Sequence, residues 1–129
     1  MKTKYWIWIV IFILMIFFMI FRFGGEDSWI KDKRGVYIEH GVPSNVPEYV
    51  KEQQDAILCG FGLFDEFKKT DEEILSQCLG ACMNYAVDIV HVPRIDKDDL
   101  IENQCLEYED GGVGHFIELN KKRNIIRIV

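Results

Sequence analysis

The residues of this chain best equipped for chemistry are its four cysteines and three histidines. Cys78 and Cys82 are four apart, so a helix would carry them on one face. Cys59 lies upstream in a stretch with helical spacing, and Cys105 lies downstream in QCLEYE. If two helices turn back on each other near Lys69, antiparallel pairing puts residue 59 opposite residue 80, between Cys78 and Cys82. A bridge from Cys59 to one of that pair follows, with Cys105 taking the other. The preferred pairing is Cys59–Cys78 with Cys82–Cys105, and the swapped pairing stands close behind it. Cys78–Cys82 within one helix would strain disulfide geometry. Each bridge contributes about 3 kcal/mol on the chain-entropy model. An even number of cysteines in the globular part suits an oxidising compartment.

The same sulfurs invite two rival chemistries. Zinc could use them with His40, His91 or His115, but the sequence has no CxxC pair and no HxxxH, so no metal site is assigned. Thiol catalysis would need a free cysteine beside a histidine, such as Cys82 with His91 or His115. The acidic run Asp96, Asp98, Asp99 and Glu102 fits a calcium loop poorly, because Ile101 occupies the position that needs glycine. GFGLFD around Gly60 lacks the spacing of a nucleotide fingerprint, and there is no P-loop or nucleophile elbow. No cofactor is implied. His40 within EHGVPSNVP, and Tyr37 and Tyr49 on either side of that stretch, are weak candidates for a binding rim, although turn chemistry explains the same stretch. His91 and His115 join them as weak surface-site candidates.

The elements that must position these groups begin with an apolar segment. Tyr5 to Phe21 are seventeen consecutive uncharged residues, about 25 Å long as a helix against a ~30 Å hydrocarbon core. Phe23 extends the span if Arg22 snorkels, and Tyr5, Trp6 and Trp8 suit an interfacial belt. Residues 1–23 are therefore expected to form a single-pass transmembrane signal anchor. Cleavage after Gly24 or Gly25 would put Arg22 or Phe23 at −3, which argues against removal. Lys2 and Lys4 favour a cytoplasmic N-terminus and an extracytoplasmic domain in the cell membrane, whereas Arg22, Lys31, Lys33 and Arg34 pull the other way. The cysteines break the tie toward the outside.

Residues 24–35, GGEDSWIKDKRG, read as a tether, and 36–129 as a small α+β domain. Gly35–Pro43 is a short strand. Ser44 or Asn45 caps a helix carrying Val46, Val50, Ile57, Phe61, Phe64 and Phe67, with Gly60 and Gly62 in its middle. Thr70 and Glu73 form a capping box for a second helix with Ile74, Leu75, Cys78, Leu79, Cys82, Ala86 and Ile89 on one face, ending before Pro93. Residues 94–102 are polar, with a short helical turn. QCLEYE, HFIEL and IIRIV read as three strands, separated by DGGVG and NKKRN. The expected fold is α+β: an N-terminal transmembrane helix, then a helical hairpin packed on a short antiparallel β-meander.

Charge narrows the function classes. Three of the 15 basic residues and none of the 21 acids lie in residues 1–23, leaving 12 against 21 and a net −9 in the remainder. Such a domain repels phosphate backbones, which argues against nucleic acid as a partner. Lys121, Lys122 and Arg123 read as a solvated turn. The expected partners are a lipid bilayer through residues 5–23 and an envelope protein. The leading expectation is a non-enzymatic, disulfide-stapled binding or interaction module. The alternative is a small envelope enzyme or metal-binding protein using His and Cys residues.

Overall fold

The computed structural model describes residues 2–23 and 27–129. The tether positions 24–26, the cleavage points considered there, and the Arg22 and Phe23 side chains lie outside the described residues. Helix α1 spans Lys2–Phe23, and its side chains from Tyr5 to Ile20 are 45–71% exposed. No helix among the described residues is long and apolar enough to cross a membrane. The expected transmembrane helix and signal anchor are corrected accordingly.

The tether stretch contains a strand. Ser28–Lys31 (β1) pairs antiparallel with Tyr37–His40 (β2). Asp32 closes the turn, its Oδ1 accepting from the backbone N–H groups of Arg34 (2.8 Å) and Val36 (3.1 Å). Gly35 has φ +85°, and a Cβ there would collide with the carbonyl oxygen of Ile128. Only glycine combines that backbone angle with so close an approach.

Helix α2 runs Glu48–Lys68 without interruption. Pro47 precedes it with no side-chain cap; neither Ser44 nor Asn45 serves, and the Asn45 carbonyl instead accepts from Trp29 Nε1 at 3.1 Å. The buried stripe is Val50, Gln53, Ala56, Gly60 and Phe64, spaced by threes and fours. Gly60 is where the helix comes nearest the sheet: an added Cβ would lie 3.3 Å from the methyls of Val87. Gln53 ties helix to hairpin, its Oε1 accepting from the Tyr37 N–H (2.8 Å) and its Nε2 donating to the Gly35 carbonyl (2.9 Å).

The expected second helix is a β-hairpin, β3 (Gln77–Cys82) and β4 (Tyr85–Ile89). The Thr70 hydroxyl donates back to the Phe67 carbonyl and opens no helix. Periodicity misled here because Tyr85, Val87 and Ile89 also alternate at period two: these three join the core against α2, while Ala86 joins the cluster on the opposite face. Met83, at φ 53°, supports the two-residue turn. Polar residues 96–99 form a 3₁₀ turn, and QCLEYE supplies a single helical turn, α3 (Leu106–Glu109), rather than a strand. β5 (His115–Leu119) and β6 (Ile125–Ile128) fall where expected.

The sheet order is β3-β4-β5-β6, with β4 and β5 parallel and the outer pairs antiparallel. The expected three-stranded meander is thus a four-stranded mixed sheet, and the expected helical hairpin is absent. A parallel pair needs a crossover, and residues 90–114 provide it. One face of the sheet packs Val87, Ile89, Ile117, Leu119 and Ile128 against Ala56 and Phe64 of α2. The other carries Ala86 and Phe116 against Cys105, Tyr108 and Val113 of the crossover.

The disulfides are Cys59–Cys82 and Cys78–Cys105, with Cα separations of 5.9 and 4.9 Å. This is the swapped pairing. A regular strand would point residues 78 and 82 the same way, but the register shifts between Cys78 and Gly80. Cys82 therefore faces α2 and Cys78 faces the crossover.

Candidate functional site

The face of the sheet turned away from α2 carries two carboxylates. Asp88 on β4 and Glu118 on β5 are register partners on parallel neighbours, so both project to the same side. With Ala86, Arg94, Asp98, Gln104, Tyr108, Glu109, Phe116 and Arg127 they line an open cleft of about 170 Å³.

The two acids have opposite surroundings. Glu118 is 3% exposed and fully paired. Arg127 reaches it through Nε (3.0 Å) and Nη2 (2.9 Å), and Arg94 through Nη1 (2.7 Å). Arg94 spends its other nitrogens on Asp99 (3.1 and 2.8 Å), and these bonds raise its pKa further. Asp88 has no ion pair among the described residues, and its buried Oδ1 has no hydrogen-bond partner. Burial first, and the Glu118 charge second, push its pKa up to about 7, although Arg94 and Arg127 partly oppose them. Near neutral pH the Asp88 carboxyl is therefore poised between donor and acceptor.

Asp98 holds the rim. Its side chain is wholly buried beside His91. Burial alone would raise its pKa, but hydrogen bonds outweigh it and take the value to about 2. Its Oδ1 pairs with His91 Nδ1 at 2.8 Å, and its oxygens accept from the N–H groups of His91 and Ile95. The carboxylate thus fastens the chain where it leaves β4.

Aromatic rings complete the cleft. Tyr108 and Phe116 meet edge to face at 5.0 Å, and the Arg127 guanidinium lies 5.1 Å from the Phe116 centroid.

The residues singled out from sequence are scattered. Tyr37 and Tyr49 do come together, at 5.0 Å, with Lys31 over the Tyr37 ring at 5.1 Å. His40 sits apart at the exposed end of β2, paired with Ser28. His115 stacks on Tyr85 at 4.9 Å, its Nδ1 3.1 Å from the Val129 carbonyl. No cysteine is free, so Cys82 offers no thiol to either histidine. Cys78, Cys105 and Glu107 cluster within 4.8 Å, but the two sulfurs are bonded to each other and present no thiolate to zinc.

Asp88, Glu118, Arg94 and Arg127 escaped the sequence reading. The signal was present: YAVDI and HFIEL each put an acid on the less apolar face of a strand. Reading YAVDI as helix hid it.

No protein-family model, no curated protein and no solved structure matches this chain. The two disulfides are compatible with an extracellular or secreted domain.

Proposed function

We propose that this chain is a small extracytoplasmic binding module whose ligand enters the Asp88–Glu118 cleft and whose α1 segment, residues 5–23, contacts a lipid bilayer. The observation that carries the binding reading is Asp88, a carboxyl in the cleft lining with a buried oxygen left unpartnered. Such a group costs stability. A ligand would supply the missing partner. The disulfides support an oxidising compartment, and the apolar side chains around α1, exposed on every side, support lipid contact.

A fragment screen by ligand-observed NMR on the full chain in detergent micelles tests the binding reading. Fragments should bind the wild type and be lost in both Asp88→Asn and Tyr108→Ala. Fragments that bind all three alike, or none at all, would refute it. Flotation with phosphatidylcholine vesicles tests the lipid contact; a full chain that stays at the bottom of the gradient would reject it.

One observation favours a second reading, a small envelope enzyme: a carboxylate 2.8 Å from His91 Nδ1. Asp98 would orient the imidazole and leave Nε2 for proton transfer. No hydroxyl or thiol among the described residues hydrogen-bonds His91, so the nucleophile would be water. Hydrolysis of a generic ester that disappears in His91→Ala and persists in His115→Ala would favour this reading. Equal rates in both variants would dismiss it.

A further inference from the structure

We infer that the cleft recognises a primary ammonium group, held by Asp88 and Glu109 beside the Tyr108–Phe116 ring pair. This rests on the binding reading above and adds the chemistry of the ligand. The argument is one of charge balance. Four acids and two arginines line the cleft. Glu118 is ion-paired with both arginines, and Asp98 is hydrogen-bonded by His91 and by backbone N–H groups. That leaves Asp88 and Glu109 with no ion pair among the described residues, so the cleft has two carboxyls to offer a cation. An anion is disfavoured because all three Arg94 nitrogens, and Nε and Nη2 of Arg127, already have acceptors.

An ammonium fits by shape and donor count as well. Its three N–H groups would find the Asp88 carboxylate, the Glu109 carboxylate and the Gln104 side-chain carbonyl, all from residues that line the cleft. The cleft admits an alkyl stem of a few carbons.

Recognition is coupled to the proton on Asp88, because an ammonium binds the carboxylate and a proton competes with it. The charged and titratable groups around Asp88 are Glu118 from β5, Arg127 from β6, Arg94 and Asp98 from the crossover, and Tyr108 and Glu109 from α3. With Asp88 titrating near 7, raising the pH from 6 to 8 should tighten ammonium binding roughly tenfold.

The test uses n-butylammonium, butyrate and n-butanol as probes of the full chain in micelles, followed by NMR shifts of the cleft residues at pH 6 and 8. Butylammonium alone should shift Asp88, Tyr108 and Phe116, about tenfold more tightly at pH 8. Asp88→Asn, with its disulfides and circular dichroism intact, should lose the response. Butyrate binding, equal butanol binding, or pH-independent butylammonium binding overturns the ammonium assignment. If fragments occupy the cleft in the screen above while butylammonium does not, only this inference falls. If neither binds, both readings fall together.

Discussion

Replacing Asp88 by Asn should make the protein more stable in alkaline solution and leave it nearly unchanged in acid. In the unfolded chain an aspartate releases its proton near pH 4, whereas in the fold burial and Glu118 delay release to about pH 7. Between these values the folded state binds the extra proton, so stability falls as pH rises through the window, and the penalty is complete above pH 7. A displacement from 3.8 to about 7 corresponds to about 4 kcal/mol. Asparagine keeps the size of the side chain and does not ionise. Wild type and Asp88→Asn should therefore have similar melting temperatures at pH 4. At pH 8.5 the variant should melt roughly 15 °C or more above wild type, since 1 kcal/mol is worth about 4–8 °C in a domain of this size. Thermal unfolding by circular dichroism at half-unit pH steps, with the disulfides intact, reads the difference directly. Parallel curves across the whole range would refute the reasoning, because the offset would then owe nothing to ionisation.

Three further predictions concern the frame around the cleft. The disulfides close loops of 23 and 27 residues, so replacing either pair by serine should cost about 3–4 kcal/mol in denaturant titrations; Cys78→Ser with Cys105→Ser should also loosen the cleft, because that bridge anchors α3. Asp98→Ala removes a buried acceptor from His91 and from two backbone N–H groups and should cost about 3 kcal/mol or more at pH 7. Since Asp98 keeps its charge down to about pH 2, the wild-type advantage should shrink as pH falls from 4 toward 2, measured by urea unfolding at each pH. Gln53→Leu strands the Tyr37 N–H and the Gly35 carbonyl and should cost about 2–4 kcal/mol, with hydrogen exchange accelerated first in β1 and β2.

How far the sequence revealed this arrangement differs by element. Helix α2, β5 and β6 were legible from their apolar spacing and bounding turn residues. The buried stripe of α2, however, shares only Val50 and Phe64 with the expected one. Gln53, Ala56 and Gly60 take its centre, Ile57, Phe61 and Phe67 flank it half-buried, and Val46 lies exposed before the helix. The β3–β4 hairpin was not. Residues 74–89 match a helical face, and Thr70 with Glu73 imitates a capping box, while the Met83–Asn84 turn lacks the Asn-Gly or Asp-Gly signature. Burial against α2 and the parallel pairing of β4 with β5 decide the matter, and both are long-range. The cleft inherited that error: an acid at position 88 is unremarkable on a helix and conspicuous only on a strand beside Glu118. The cysteines were recognised as a framework, but their partners depended on the irregularity between Cys78 and Gly80, which no local pattern marks. β1 was hidden inside a glycine-rich, charged stretch, where only its pairing with β2 gives it a strand's identity.

The most direct measurement is the titration of the Asp88 side-chain carbon, followed by carbon-13 NMR in the full chain without ligand. A midpoint near pH 7, moving downward when butylammonium is added, is the expected result. A midpoint below 5 that ignores the probe would mean that Asp88 is already satisfied, and the cleft would lose its claim to a ligand.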